Sequence, residues 1–207
     1  DPYGASTASR IGIGQRLNND ILLKFDKNLS DDFNLKVTAG ANTRLNSSSS
    51  VSVSGNNLII PDFYNVGTRT GELLGGEEKF LFRRQGVYSE LTLGFKDYLF
   101  LTATARNDWS SSLPTQNRSF FYPGGGISFL VSEAFPGIKS DNGIDNLKAT
   151  LNVTKSGNDA QAYATKAIFA TPTGFPYGAT TGLSQGSRDP DANLSPEFTL
   201  SKELGIE

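Results

Sequence analysis

GVYSELTLGFKDYLFLTATARNDWSSSLPTQNRSFFYP, residues 86 to 123, reads as two strands joined by a tight turn at Lys96-Asp97, then a polar loop, then an aromatic cluster. On the first strand Val87, Leu91, Leu93 and Phe95 share one parity, while Tyr88, Glu90, Thr92 and Gly94 take the other. Side chains in a strand alternate between faces, so one face is apolar and the other largely polar. The return strand repeats the arrangement, with Leu99, Leu101, Ala103 and Ala105 on one face and Thr102, Thr104, Arg106 and Asp108 on the other. Aromatic residues crowd the turn (Phe95, Tyr98, Phe100) and return about ten residues on (Trp109, Phe120, Phe121, Tyr122). An apolar band of that height, edged by rings at both ends, is what a lipid-facing β-strand requires.

Composition narrows the classes around this stretch. The chain has 207 residues, 37% hydrophobic and 19% charged, both low for a soluble globular protein. A net charge of -2 and the lack of any basic stripe give no electrostatic case for nucleic acid. With no Cys there are no disulfides or thiolate chemistry, and with no His the commonest general base and imidazole ligand are missing. No apolar run approaches the length of about eighteen residues that a membrane helix needs. Asp1-Pro2-Tyr3-Gly4 has neither the basic nor the apolar region of a secretory signal. A membrane role therefore means a β-barrel.

From Arg10 the positions Ile11, Ile13, Leu17, Ile21, Leu23 and Phe25 make one apolar face, closed by the turn residues Asn28 to Asp32. Phe33, Leu35, Val37, Ala39 and Ala41 then alternate with Asn34, Lys36, Thr38, Gly40 and Asn42. That alternation specifies its own register, because a slip of one residue exchanges the faces. Residues 46–80 read as a long connection containing Ser47 to Ser50 and Leu58-Ile59-Ile60-Pro61. After the opening hairpin, Ile127, Phe129 and Val131 alternate with Ser128, Leu130 and Ser132. A connection through Asp141-Asn142-Gly143 leads to Leu147, Ala149, Leu151 and Val153, opposed in parity to Lys148, Thr150, Asn152 and Thr154. A second long connection spans 156–196, and the last strand runs from Phe198 to Glu207.

The pattern predicts about seven strands whose connections alternate in length. Those near 28–32, 96–97 and 134–146 are shorter, and 46–80, 109–120 and 156–196 are mostly longer. Outer-membrane barrels sort turns and loops in this way, whereas a soluble β-sandwich has no reason to. The expectation is an all-β chain, a partial antiparallel transmembrane barrel, with odd-numbered Leu35, Val37, Leu91, Leu93, Ala149, Leu151 and Val153 toward lipid. Arg44, Glu90, Arg106 and Asp108 are expected to face the lumen. The alternative from another class is a soluble or surface-exposed sandwich that binds glycans and transports nothing.

Few residues offer chemistry. Asp189-Pro190-Asp191-Ala192-Asn193 has oxygen ligands for Ca²⁺ but no Gly at the turn and no distal Glu, so a polar loop is the plainer account. Gly12-Ile13-Gly14 lacks the third Gly and the helix of a dinucleotide site. Carboxylate pairs such as Glu77-Glu78, or Glu90 with Asp108, suit glycoside hydrolysis in principle. Lumen-facing polarity explains them without an enzyme, and no enzyme, cofactor or metal is expected. The loop aromatics Phe63, Tyr64, Trp109, Tyr163, Phe175 and Tyr177 are candidates to stack on a sugar or grip a peptide. For Trp109 and the Phe120–Tyr122 cluster, an interfacial girdle is the favoured account.

Arg106-Asn107-Asp108-Trp109-Ser110-Ser111-Ser112-Leu113-Pro114, followed by Ser119-Phe120-Phe121-Tyr122-Pro123, resembles a signature of the SusC/RagA-type TonB-dependent receptors of Bacteroidetes. Ser132-Glu133-Ala134-Phe135, Leu147-Lys148-Ala149, Ser156-Gly157-Asn158-Asp159 and Asn193-Leu194-Ser195-Pro196-Glu197 with Glu203-Leu204-Gly205 are similar to its later segments, in the same order. The resemblance is good over residues 80–207 and looser before. It departs at Gly124-Gly125-Gly126, where a Ser and a bulkier residue are expected, and at Thr154-Lys155, where an aromatic-Gly pair is usual. It implies a barrel of about twenty-two strands with an N-terminal plug. Residues 1–207 would be a middle-to-late part of that barrel, with the plug and the remaining strands absent, since seven strands cannot close a bacterial barrel. By the same resemblance the protein sits in a Gram-negative outer membrane and imports an oligosaccharide or peptide. A SusD-like surface lipoprotein acts as lid, and TonB-ExbB-ExbD engages parts absent from this chain. A structural barrel subunit of an outer-membrane complex is the remaining alternative.

Overall fold

The computed structural model describes residues 4–139, 145–170, 175, 177, 180–186 and 189–207. Six strands follow one another to the middle of the chain: β1 (Thr7–Asn28), β2 (Phe33–Gly55), β3 (Leu74–Phe95), β4 (Leu99–Ser110), β5 (Ser119–Leu130) and β6 (Lys148–Asn158). A two-residue pair, β7 (Phe169–Ala170) and β8 (Ser184–Gln185), precedes β9 (Glu197–Ile206). The seven long strands form one antiparallel sheet in the order β1-β2-β3-β4-β5-β6-β9, and β7 with β8 makes a separate hairpin. By packing, the chain divides into two compact units, Asp1–Asn18 with Arg44–Arg83, and Asn19–Thr43 with Arg84–Glu207.

In the second unit the strand register aligns the expected faces. Leu93 pairs with Leu101, Leu101 with Ile127, Ile127 with Leu151, and Leu151 with Leu204, a continuous apolar row across five strands. One residue away on every strand lies the polar row Thr92, Thr102, Gly126, Asn152 and Glu203. Leu93 is half-buried, and the rest of the row is bare, from 42% exposed at Leu101 to 77% at Leu204. Among the described residues only Leu58, Leu113 and Phe120 are buried hydrophobics, and no second long-stranded sheet covers this face. A sandwich would bury these leucines between two sheets. The sheet of this unit is a wall, apolar on one side and polar on the other.

Rings edge the wall at the short-turn end. Phe33, Phe95, Tyr98, Phe129 and Phe135 form a chain with successive centroid distances of 4.9, 5.6, 5.9 and 6.4 Å. The β3–β4 connection there has three residues rather than two, with Lys96 and Asp97 both at positive φ (48° and 58°). At the far end of β4, Trp109 shares the parity of Leu99 and Leu101. Between Leu99 and Trp109 a strand tilted by about 40° climbs about 26 Å, close to the apolar height of an outer-membrane barrel.

Several strands outrun the sequence expectation. Residues 46–55 continue β2 and 74–80 belong to β3, so the connection read as 46–80 shrinks to 56–73. Likewise β5 begins at Ser119, not near Ile127, and the later loop is 159–196. The reason is physical. Beyond the apolar band neither face meets lipid, so Ser47-Ser48-Ser49-Ser50 carries no alternation to reveal a strand. At the other end Val131 and Ser132, expected to finish a strand, form the short helix α1 (Val131–Ala134). The fully buried Ser132 accepts the Leu147 backbone N–H at 3.2 Å through its hydroxyl, which folds the chain back. Most of the turn read at Asp141 to Asp145 lies outside the described residues.

The first unit holds its connection as a compact loop. Leu58, 2% exposed, is anchored by its N–H to the Ala5 carbonyl (3.2 Å) and bridges to Arg69. Asn65 caps a 3₁₀ turn at Val66–Thr68 by accepting from Gly67 N–H at 2.8 Å. Arg10 joins Ser50 (2.7 Å) and Glu78 (2.5 Å) beside it.

Candidate functional site

The polar face of β3, β4 and β5 converges on one carboxylate. Asp108 is fully buried and accepts from Arg84 Nη2 at 2.6 Å, from Arg106 Nε at 3.0 Å and from the Tyr122 hydroxyl. Arg106 Nη2 lies 2.9 Å from Asp108 and also donates to Asn42 Oδ1 on β2 at 3.0 Å. Arg84 extends to Asp159, just past β6, at 3.6 Å. Five successive chain segments are thus tied to one ion cluster, in which two guanidiniums balance two carboxylates. Hydrogen bonds between ionised partners are short and strong, and they offset the desolvation cost of burying the charges, although Arg84 Nε and Asp159 Oδ2 are buried without a hydrogen-bond partner.

Glycines make the space. Gly86 pairs with Asp108, and a Cβ there would strike Asp108 Oδ1, Arg106 Nη2 and Asn42 Oδ1. At Gly40 a Cβ would collide with the Tyr88 ring, which itself carries the Arg106 guanidinium at 5.3 Å. Gly157 leaves room for Phe120 and Tyr122, with a Cβ there only 2.8 Å from Phe120. Phe120 stacks on Tyr122 at 6.0 Å and lies under Arg84 at 5.6 Å.

The aromatic cluster expected as a girdle is therefore divided by parity. Trp109 and Phe121 stand on the apolar side, 39% and 55% exposed. Phe120 and Tyr122 turn to the opposite face, where they wall the ion cluster, and this corrects the girdle account for those two. Arg106 and Asp108 come together as a site, while Glu90, opposite Thr104, lies outside it. Arg44 belongs to the first unit, is exposed, and hydrogen bonds to Asn46 at 3.4 Å. Sequence reading missed Arg84, Asn42 and Asp159, which are distant in sequence. Gly86 stands opposite Asp108 only because the β3–β4 connection has three residues; a two-residue turn at Lys96-Asp97 would have set Gly86 opposite Asn107.

A second constellation joins two loops. Asn117, between β4 and β5, donates its side-chain amide to the carbonyls of Asn193 (3.0 Å) and Leu194 (3.1 Å), while Gln116 donates to Ala192 (2.8 Å). Ser110 and Ser112, both buried, share a hydroxyl bond of 2.9 Å that shapes the loop carrying Asn117. Asp191 caps the Asn193 N–H at 2.8 Å, so the stretch considered for calcium is an Asx turn. Among the described residues no group of three acidic side chains could hold a metal.

The loop aromatics are placed separately. Phe63 and Tyr64, 51% and 67% exposed, lie on the 56–73 loop of the first unit. In the second unit Tyr177, 80% exposed, exchanges reciprocal backbone bonds with Thr180 (2.9 and 3.0 Å). Phe175 packs over Gly182, and Tyr163 holds a positive φ of 66°.

Comparison with known proteins agrees with this geometry. The family model described as TonB dependent receptor-like, beta-barrel matches residues 1–207, and the chain belongs to that family. Barrels of this family lie in the outer membrane of Gram-negative bacteria, and so does this chain. Among solved structures it is similar to the RagAB peptide importer in its 'closed-closed' state, at 18% identity and a TM-score of 0.77. A RagAB peptide transporter structure gives 18% and 0.78, and the 'open-open' importer 19% and 0.73. Each match covers 96% of this chain and 22% of the other, so the chain spans about a fifth of those proteins. Comparison with curated protein sequences found no match.

Proposed function

We propose that residues 1–207 are one part of the barrel wall of a SusC/RagA-type importer that takes up a bulky nutrient, an oligosaccharide or a peptide. A SusD-like surface lipoprotein serves as lid, and TonB-ExbB-ExbD supplies energy through other parts of the receptor. The observation that carries this reading is the two-faced sheet, apolar and ring-edged outside and polar inside, in a chain of the TonB-dependent receptor family. Asp108 has its oxygens engaged by two arginines and a phenol, so it braces the wall and is not a general base. The similar RagAB is a peptide importer, which makes peptides the first substrates to test.

The 159–196 loop is the surface assigned to lid or substrate, since it presents exposed Tyr177 from a base clamped at Asn117. In the full-length receptor, shortening this loop while keeping residues 191–195 should abolish growth on the cognate nutrient and lipoprotein co-purification, with the barrel still assembled. Normal uptake and normal co-purification would refute the assignment.

A further inference from the structure

On the apolar face, the glycine run Gly124-Gly125-Gly126 removes side chains from the middle of β5 and leaves a groove of about 520 Å³. Ile127 on β5, Leu151 and Val153 on β6, and Leu200 on β9 wall it, and Lys155 closes one end. A trough of this size is in the range that holds a small ligand, here with an almost wholly hydrocarbon lining. Its position matters as much as its lining. Gly125 pairs with Ala103 and Val153, in the row next to Leu101, Ile127 and Leu151 and therefore within the apolar band.

A lysine on such a face is costly unless its ammonium reaches the interface or a counter-charge. Lys155 lies two residues beyond Val153 toward the loop end, about 16 Å above Ala149 on a strand tilted by about 40°. Its Nζ sits 3.8 Å from the centroid of the Phe198 ring, and Phe198 pairs with Gly157 still further toward that end. That ring packs edge-on against Phe120 at 6.4 Å, so the ammonium is drawn from the groove floor toward the loop end of the strand, the direction a snorkelling lysine takes. Lys202, opposite Val153 and exposed, adds a second positive charge beside the groove.

We propose that this groove seats one acyl chain of an anionic phospholipid, with Lys155 pairing a phosphate whose charge no cationic headgroup neutralises. The proposal rests on the apolar face being the lipid face, and it stands apart from what the receptor imports. Tail and headgroup are recognised by different walls of one site: hydrocarbon by the glycine-floored trough, and phosphate by an ammonium already held over a ring. Gly124 pairs with Thr154, which places the glycine run beside Lys155.

The test is native mass spectrometry of the full-length receptor taken from vesicles of phosphatidylglycerol and phosphatidylcholine in equal parts. Phosphatidylglycerol should be retained about fivefold over phosphatidylcholine, the preference expected of one lysine at a membrane surface. Lys155→Gln should remove the preference, and Gly125→Leu, which fills the groove, should lower retention of both lipids. Retention on Lys155→Gln alone decides the matter if Gly125→Leu does not assemble. Equal retention of the two lipids by the wild type, or an unchanged preference in Lys155→Gln, would overturn the proposal. Displacement of the lipid by inorganic phosphate alone would also overturn it, because the site would then bind free anion without needing a tail. Loss of import with lipid retention intact would count against the transport reading only.

Discussion

The two faces of β3, β4 and β5 are built from the same strands and hold the molecule in opposite ways. Outside, Leu93, Leu101, Ile127 and Leu151 form a row that meets only its neighbours along the sheet among the described residues and depends mainly on being apolar. Inside, Asp108, Arg84, Arg106 and Tyr122 depend on geometry to a few tenths of an ångström and on three glycines that leave them room. In a barrel wall the usual order is inverted: bulk hydrophobicity faces out, where lipid asks for little shape away from the Gly124–Gly126 groove, and specific packing faces in. Most changes of one apolar residue for another should therefore be silent outside, and few changes should be silent in the cluster.

The sharpest break in that comparison is expected at the buried carboxylate. Asp108→Asn keeps the shape but leaves the Arg84 and Arg106 guanidiniums without their central counter-charge, and should cost about 3–5 kcal/mol. Urea unfolding of the full-length barrel in lipid vesicles measures it, and a cost below 1 kcal/mol (about the worth of an exposed pair) would mean the cluster is ornamental. Next in size is polarity on the outer face. Leu151→Arg should cost about 2–4 kcal/mol in the bilayer, while Asn152→Arg, one residue away on the polar face, should cost much less. Equal effects would contradict the assigned faces. The smallest effect is expected at the loop clamp. Asn117→Ala removes the donor to Asn193 and Leu194 and should cost about 1–2 kcal/mol locally. Hydrogen exchange should rise at 191–195 and stay unchanged in β5; a rise across the whole sheet would make Asn117 a global brace.

The outer face was legible because lipid enforces period two: Leu91 to Phe95, Leu99 to Ala105 and Ala149 to Val153 declare their register without help. Where lipid stops, legibility stops, and residues 46–55, which meet no apolar medium, read as loop although they are strand. The inner cluster was half visible. Arg106 and Asp108 share a face by spacing alone, but Arg84, Asn42 and Asp159 join them through pairings that no local pattern encodes. Phe120 and Tyr122 misled for a related reason, since composition suggested a girdle and only parity separates them from Phe121. The clamp through Asn117 joins two recognisable motifs about 76 residues apart, and nothing in either motif announces the other.

The central claim is that odd-numbered residues of β4 from Leu99 to Ala105 and of β6 from Ala149 to Val153 face lipid, and that the even-numbered ones between them face the aqueous lumen. The chain has no Cys, so single cysteines can be read here without background. In a full-length receptor freed of other cysteines, Leu101→Cys, Thr102→Cys, Leu151→Cys and Asn152→Cys would each carry a small fluorophore in vesicles containing brominated lipid. The account predicts strong quenching by the brominated chains at 101 and 151, and quenching by aqueous iodide at 102 and 152. Bromine quenching at 102 and 152, or no difference between neighbours, would contradict it.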